Sequence, residues 1–328
     1  MPIEYPANAR RRTLLALGLL PLLTPLARAQ TGYPVRPIQF IVAAPAGGPS
    51  DFVGRQLGEE LSRILGQPVV IVNRPGSGGV VAAEPVARAA PDGYTLMLSW
   101  IGNATGQTLL PNLNYDINRD FVHITQVMAG ANVLVVHPST GFKTLQDLVR
   151  HAKANPGKLS YASAGNGTSG HLAMEMLKQR AGISMLHIPY RGGGPALIDL
   201  MGGQVQLMFN NQDAVMAPAA SGKVVALAIS SPTRNPMMPQ VPTVAESGYP
   251  GFQATAWAGV SGPKGMPSAV VDTLHAGVVK ALQGPLRAKF EATGAQVLGT
   301  SPAQFSTFVR GETDNWATVI KQAGIKAD

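Results

Sequence analysis

The chain contains no cysteine. That excludes disulfides, thiolate metal sites, cysteine nucleophiles and an acylated lipoprotein terminus. In an oxidising compartment its stability must come from packing and not from covalent staples. Beyond the first thirty residues no apolar run approaches the roughly 20 residues that a membrane-spanning helix needs. Lysines and arginines form no stripe and do not interleave with aromatic residues, so the concentrated basic footprint of a nucleic-acid-binding surface is missing. The six histidines, at 123, 137, 151, 171, 187 and 275, contain no His-x-x-x-His pair. Carboxylates do not cluster with them, so nothing in the sequence implies a metal or other cofactor. A pair of catalytic acids for glycoside chemistry cannot be assembled either.

What is present begins with a targeting segment. Arg10, Arg11 and Arg12 form a positive region, and Leu14–Leu26 is a short apolar run broken by Pro21 and Pro25. Ala27-Arg28-Ala29 then places small residues where a signal peptidase reads them. Residues 1–29 are therefore expected to be an export signal. The adjacent arginines before Thr13 also fit a twin-arginine route. Cleavage after Ala29 removes four arginines and Glu4, which lowers the formal charge from +8 to +5. Much of the apparent basicity is thus a property of the leader.

From residue 35 onward, short apolar runs alternate with amphipathic ones. PIQFIVAA (37–44) reads as a buried strand. Ser50 or Asp51 can cap a following helix with the stripe Val53, Leu57, Leu61, Leu65, stopped by Gly66. PVVIVN (68–73) and the run to Ser99 supply two more strands, with a Gly-rich turn and a helix between them. A second series runs through strands at 131–138, 158–164, 185–190, 204–210 and 223–230, with helices at 142–157, 168–181 and 195–201. Residues 231–251 lack periodicity. A strand at 255–262 and helices over 268–282, 285–293 and 302–324 follow. Strand–helix alternation predicts parallel sheets covered by helices, an α/β fold. The sheet starts twice, which predicts two α/β domains.

Two Gly-rich loops leave the C-terminal ends of predicted strands and enter helices. One is AAPAGGPSD (43–51), with Ala46, Gly47, Gly48, Ser50 and Asp51; the other is YASAGNGTSGH (161–171), with Ala164, Gly165, Asn166, Gly167, Thr168 and His171. Open α/β sheets bind ligands at such ends. A helix start leaves backbone N–H groups unpaired, and its dipole favours negative charge. Glycines let a ligand approach the backbone. A small carboxylate fits this chemistry; ordinary strand–helix turns are the plain alternative. Gly165, Gly167 and Gly170 have dinucleotide-loop spacing, but the tip of the next strand lacks the acid that would bind a ribose. Gly167-Thr168-Ser169-Gly170 misses the nucleophile-elbow pattern by one position.

Other polar residues carry two readings each. Asp51 either caps its helix or accepts from an amine or amide on a ligand. Arg191, in PYRGGGPA (189–196), either pairs an anion or is solvated. Asn211 and Asp213 follow a strand and either line a cleft or form a surface turn. Trp100 stands at a strand tip, with Asn103 just beyond it, where a pocket wall is expected.

Seven runs in order resemble the Bug-type extracytoplasmic solute receptors of tripartite tricarboxylate transporters. They are PAGGPSD (45–51), LGQPVVIVNRPGSGG (65–79), PDGYTL (91–96), ASAGNGTSGHLAME (162–175), HIPYRGGGPALIDLMGGQVQLMF (187–209), PTVAESGYPGF (242–252) and ETDNWATVI (312–320). The resemblance implies a type 2 periplasmic-binding-protein fold, with residues 30–128 and 252–328 as lobe 1 and 129–251 as lobe 2. It implies a periplasmic, non-catalytic receptor that takes a small carboxylate (an amino acid, a dicarboxylate or an aromatic carboxylate) for integral membrane transporter subunits. The carboxyl group would meet the loop of Gly165–Thr168, with waters bridging to the loop of Ala46–Asp51. A ligand sensor for a signalling partner is the alternative, and an exported α/β hydrolase a more distant one. Trp100–Thr105 departs from the small Ser/Thr/Gly-rich segment of the resembled receptors, and its bulk narrows the pocket or stacks on a ring.

The exported protein is expected to begin near Gln30. N-terminal sequencing of the exported form checks this, and an intact Met1 on membrane-bound protein contradicts it.

Overall fold

Runs of β-branched and apolar residues closed by Asn, Gly or Pro form the first parallel unit. In the computed structural model, which describes Met1 and residues 32–75, 80–110 and 112–326, β1 (Ile38–Val42) pairs in parallel with β2 (Val69–Asn73) and β3 (Thr95–Trp100). Residues 2–29 of the export segment and Gly76, Ser77, Gly78 and Gly79 lie outside the described residues. Helix α1 (Pro49–Leu65) joins β1 to β2 and buries Val53, Leu57 and Leu61. Pro49 suits its first turn, where the missing N–H costs nothing. Gly66 ends it in the left-handed conformation, returning its N–H to the Ser62 carbonyl at 3.0 Å. Helix α2 (Val80–Ala87) joins β2 to β3, and α3 (Ile101–Leu109) follows β3 directly.

The long strand β4 (Phe121–Val136) carries the chain into the second unit. There α4 (Leu145–Ala154), β5 (Ser160–Ser163), α5 (Ser169–Ala181), β6 (Leu186–Pro189), α6 (Gly193–Met201), β7 (Leu207–Asn211), α7 (Gln212–Ala220) and β8 (Val225–Ile229) alternate. Strand β5 pairs in parallel with β6 and β7. The aperiodic segment after β8 leads to β9 (Thr255–Pro263), then α8 (Ser268–Gln283), α9 (Pro285–Glu291), β10 (Gln296–Val297) and α10 (Pro302–Ala323). The strand order is β2-β1-β3-β9-β4-β7-β5-β6, with β8 and β10 also on β4. These are two α/β lobes that share one strand.

Strand β4 changes partners along its length. Phe121 to Ala131 pair antiparallel with β9, and Asn132 to Val136 pair with β7. Register shifts at His123/Thr125 and Gln126/Met128 mark bulges on the β9 side. Such bulges sharpen local twist, which lets one strand serve two sheets of different orientation. Beyond the handover, Val133 and Val135 enter one apolar cluster while Leu134 and Val136 enter another. Alternation of side chains along a strand thus buries both faces at once.

Polar residues inside the first lobe are paired. His123 Nε2 donates to the Ile117 carbonyl at 3.1 Å, so Nδ1 accepts from the Ser261 hydroxyl at 2.9 Å. Ser99 Oγ lies 2.9 Å from Ser261 Oγ, so this chain ties β3, β9 and β4 together. Burial depresses the His123 pKa from 6.5 to about 4. The unfolded chain therefore binds the proton first as pH falls. The stabilisation is present above pH 6.5 and is lost as pH drops towards about 4. His123→Asn is expected to remove this part of the pH dependence, on the order of 3 kcal/mol. Chemical unfolding of both proteins between pH 7 and pH 4 measures it; parallel curves would contradict it.

Candidate functional site

Strand direction decides where the loops meet. β1 and β3 are parallel, and β3 runs antiparallel to β9 with Trp100 opposite Ala258. On the other side β7 ends at Asn211 opposite Asn132 of β4, and β5 runs parallel to β7. The C-terminal ends of the parallel strands in both lobes therefore point toward the β4 handover at residues 129–132. Ala44–Asp51, Asn73 and Trp100 come from one side. Ala164–Thr168, Arg191 and Asn211–Asp213 come from the other.

Two helices start at these loops without a side-chain cap. Gly48 is the N-cap of α1 and Thr168 that of α5, and neither makes a capping bond. By contrast, α4 and α10 carry full capping boxes from Thr144 and Ser301. Helices α6, α7, α8 and α9 also start without a side-chain cap, and α6 and α7 likewise follow strand ends, so a missing cap does not by itself mark a site. The N–H groups of the first turns of α1 and α5 are unpaired within the helix and suit an anion.

The first loop is braced by Asp51, which is buried. Its Oδ2 accepts from Gly47 N–H and from Arg55 Nε, both at 2.8 Å. Its Oδ1 accepts from Asn73 Nδ2 at 2.7 Å, and the same amide reaches the Ala44 carbonyl at 3.0 Å. Burial alone would raise the carboxyl pKa, but the donors Arg55, Gly47 and Asn73 outweigh it and hold it below the usual range. The carboxylate thus serves the protein's own loop, and neither capping nor an amine partner is needed to account for it. Gly48 N–H turns back to the Pro45 carbonyl at 3.2 Å. Ala46 and Gly47 are exposed, and Ser50 is half-buried.

The second loop is held from below. Gly167 N–H donates to His171 Nδ1 at 3.1 Å, which places the His171 proton on Nε2. That ring stacks on His187 at 4.0 Å, and His187 stacks on Tyr161 at 4.8 Å. Burial, then the neighbouring His187 and Lys178, depress the His171 pKa to about 3, so it stays neutral and keeps accepting from Gly167. His187 Nε2 lies 2.6 Å from Ser163 Oγ, which accepts from Gly165 N–H at 3.1 Å. Thr168 Oγ1 donates to the Gly165 carbonyl at 2.8 Å. Ala164, Gly165, Asn166 and Thr168 remain half-buried at the surface of the loop. Gly167 has φ +74°, and a Cβ there would stand 2.4 Å from Leu109 Cδ1 and 3.7 Å from Thr105 Oγ1. Helix α3 therefore lies directly against this loop. Gly170 is needed for another reason, since a Cβ would stand 2.3 Å from the Phe209 carbonyl oxygen.

The remaining candidates separate. Asn103 is buried; its Oδ1 accepts from Trp100 N–H at 3.0 Å, and its side chain also bonds Tyr115. Arg191 is exposed just past β6, beside Ala164, whose carbonyl accepts from Gly192 N–H at 3.2 Å. Asn211 caps the start of α7 by position but makes no side-chain cap bond. Asp213 is exposed at the start of α7, and partial desolvation raises its carboxyl pKa against the N–H groups of Ala214 and Asp213. Sequence reasoning missed Asn73, Thr105, Leu109, His187 and Ser163. Only Asn73, ending a strand just before a Gly-rich turn, carried a visible signal.

Comparison with known proteins gives a consistent result. A family model described as "Tripartite tricarboxylate transporter family receptor" matches residues 53–325. Protein BugT of Bordetella pertussis is 39% identical over 297 residues, covering 90% of this chain and 91% of BugT. The solved periplasmic binding protein BugD superposes with a TM-score of 0.80 at 36% identity, covering 90% of this chain and all of BugD. R. palustris Rpa4515, solved with adipate, superposes at 0.82 with 32% identity, covering 90% of this chain and 99% of that one.

Asp51→Asn sets an amide N–H₂ against donors that now meet a carboxylate. It is expected to destabilise the protein by about 1–3 kcal/mol and to weaken every ligand equally. Urea unfolding with parallel ligand titrations checks this. Loss confined to amine-bearing ligands would instead make Asp51 a selectivity residue.

Proposed function

The chain belongs to the tripartite tricarboxylate transporter receptor family, and from that premise we propose that it captures a small carboxylate between its two lobes for uptake through integral membrane subunits. Membership makes it a periplasmic solute receptor with a type 2 periplasmic-binding-protein fold, and not an enzyme. The lobes we assign as residues 30–128 with 252–328, and 129–251.

One observation carries the reading. Two uncapped helix starts, at Gly48 and Thr168, lie at strand ends that run toward the same crossing from opposite lobes. A carboxylate at the Ala164–Thr168 loop would meet neutral N–H donors and the positive end of α5. The loop of Ala46–Asp51 would complete the grip directly or through water. A grip with contacts on both lobes favours the closed arrangement, because a ligand shifts an equilibrium only by its differential affinity for the two states. The ligand seen in Rpa4515 is in keeping with a small carboxylate, and amino acid, dicarboxylate and aromatic carboxylate bodies all satisfy the loop chemistry equally.

Gly167→Ala is expected to lower carboxylate affinity by roughly tenfold or more, because Leu109 and the left-handed backbone both oppose the added methyl. Gly182→Ala provides the control. It has the same kind of backbone, φ +61°, with nothing within 4 Å of a Cβ, at the far end of α5. It should cost stability but leave affinity intact. Calorimetry with adipate, malate, aspartate and benzoate reads both variants, and equal affinities for Gly167→Ala and the wild type would place the site elsewhere.

A further inference from the structure

Three residues of α5 at spacings of four and three, His171, Glu175 and Lys178, lie on one side of the helix. Glu175 is buried, and a buried carboxylate needs partners. Its Oε1 accepts from the Tyr161 hydroxyl of β5 and from Lys178 Nζ, the latter at 2.6 Å. The same oxygen lies 4.0 Å from Nε2 of His171. The other nitrogen of that ring, Nδ1, accepts from Gly167 N–H at 3.1 Å. One imidazole thus stands between a buried ion pair and the loop proposed to receive the carboxylate.

Nδ1 accepts only while it carries no proton. The charged and titratable groups that face the ring, among the described residues, are Glu175 and Lys178 on its own helix, Tyr161 on β5 and His187 on β6. A lone carboxylate at this distance would favour the imidazolium, but the Lys178 ammonium cancels the Glu175 charge. His187 lies face to face with the ring, at 4.0 Å and 10° between planes, so a proton on one imidazole opposes a proton on the other. Burial and then Glu175 raise the Tyr161 phenol above its usual range, so it stays neutral and a donor. Helix α10 meets α5 further along, where Gln179 Nε2 donates to the Val319 carbonyl at 3.1 Å.

Resting on the carboxylate reading above, we infer that His171 is a positioning residue for anion capture, and that Lys178 keeps it in its accepting form. Unprotonated Nδ1 ties Gly167 to the first turn of α5 and so sets where the N–H groups that follow it point. A proton on Nδ1 would set donor against donor and free Gly167. Lys178, by pairing with Glu175, withholds the charge that would draw that proton. Capture by the wild type is then indifferent to moderate acid, and becomes acid-sensitive once Lys178 loses its charge.

Lys178→Met keeps a side chain of similar length beside Tyr161 and removes the ammonium. Ring ¹⁵N spectra of the mature protein, followed from about pH 7.5 to about pH 4.5, should show wild-type His171 with Nδ1 unprotonated throughout. In Lys178→Met the same ring should titrate about 1–3 pH units higher. Calorimetry with adipate, malate, aspartate and benzoate over the same range gives the ratio of variant to wild-type affinity, which cancels titration of the probe itself. That ratio should fall in step with protonation of His171. Two further variants separate the acceptor from bulk. His171→Asn puts an amide oxygen at the δ position and should keep affinity within about threefold, whereas His171→Leu should lose about tenfold or more. Equal losses in the two His171 variants, or a ratio that stays flat while the ring takes its proton, overturn the positioning role and leave carboxylate capture standing. A His171 ring that is protonated in the wild type at neutral pH, or that titrates unchanged in Lys178→Met, overturns the part given to Lys178. If no probe binds the wild type, capture by this loop and positioning for it fall together.

Discussion

One strand has to satisfy two sheets. Successive residues of β4 offer their N–H and carbonyl groups to alternate edges, and the partners change from β9 and β10 to β7 and β8 within residues 129–133. Buried backbone groups tolerate almost no unpaired positions, so the handover must be filled. Asn132 fills it. Its N–H donates to Ser230 Oγ at 2.9 Å, its carbonyl accepts from Ser230 N–H at 2.8 Å, and its side chain meets Ser169 Oγ at 3.2 Å. The same residue therefore closes the gap between sheets and touches the first turn of α5. Gln212 works beside it, accepting from Ala131 N–H at 3.3 Å and from Asn235 at 2.7 Å. Site geometry follows from this crossing, since every parallel strand of either lobe ends toward it.

Around the crossing, the protein spends its charged and titratable groups on loop shape. Asp51 is ionised and internally paired, His171 is neutral and internally paired, and Thr168 donates to its own loop. What these groups leave open is backbone N–H at two helix starts. Backbone donors do not titrate, so on the proposed reading an anion would meet a site whose character is insensitive to pH over the range where His171 stays neutral. Glu312 is a similar case away from the cleft. Burial raises its pKa and two indole donors partly offset this, which fixes Trp257 of β9 to α10 at the level of Ala129.

The alternating elements were legible because each repeats one simple pattern, an apolar strand ending at Gly, Pro or Asn before an amphipathic helix. The loops at 43–51 and 161–171 were legible because glycines at a strand–helix junction have few other uses. Helix α3 was not. Ile101-Gly102-Asn103-Ala104-Thr105-Gly106 has two glycines and an asparagine, and it is helical because tertiary packing buries all six residues. The first half of β4 was equally hidden. His123, Thr125 and Gln126 interrupt its apolar run, and only partners far along the chain, Ser261 and Thr300, make them acceptable inside. Asp51 showed a related limit. Its place at a helix start was plain, and Arg55 is its i,i+4 neighbour on α1, but its bond to Asn73 depends on β2 lying beside β1.

Recognition by backbone amides, as proposed above, would explain why loop sequence points to a carboxylate yet says little about which carboxylate. An amide N–H reads charge and reach, and every carboxylate offers the same two oxygens. Discrimination has to come from side chains at the remote end of the ligand, where a missing partner leaves a buried polar group unpaired. Trp100 stands at the end of β3, where its backbone N–H donates to Asn103 Oδ1 and its side chain packs on the main apolar cluster. On the proposed reading, affinity for the class would rest on the starts of α1 and α5, and choice within it on side chains that meet the remote end of the ligand.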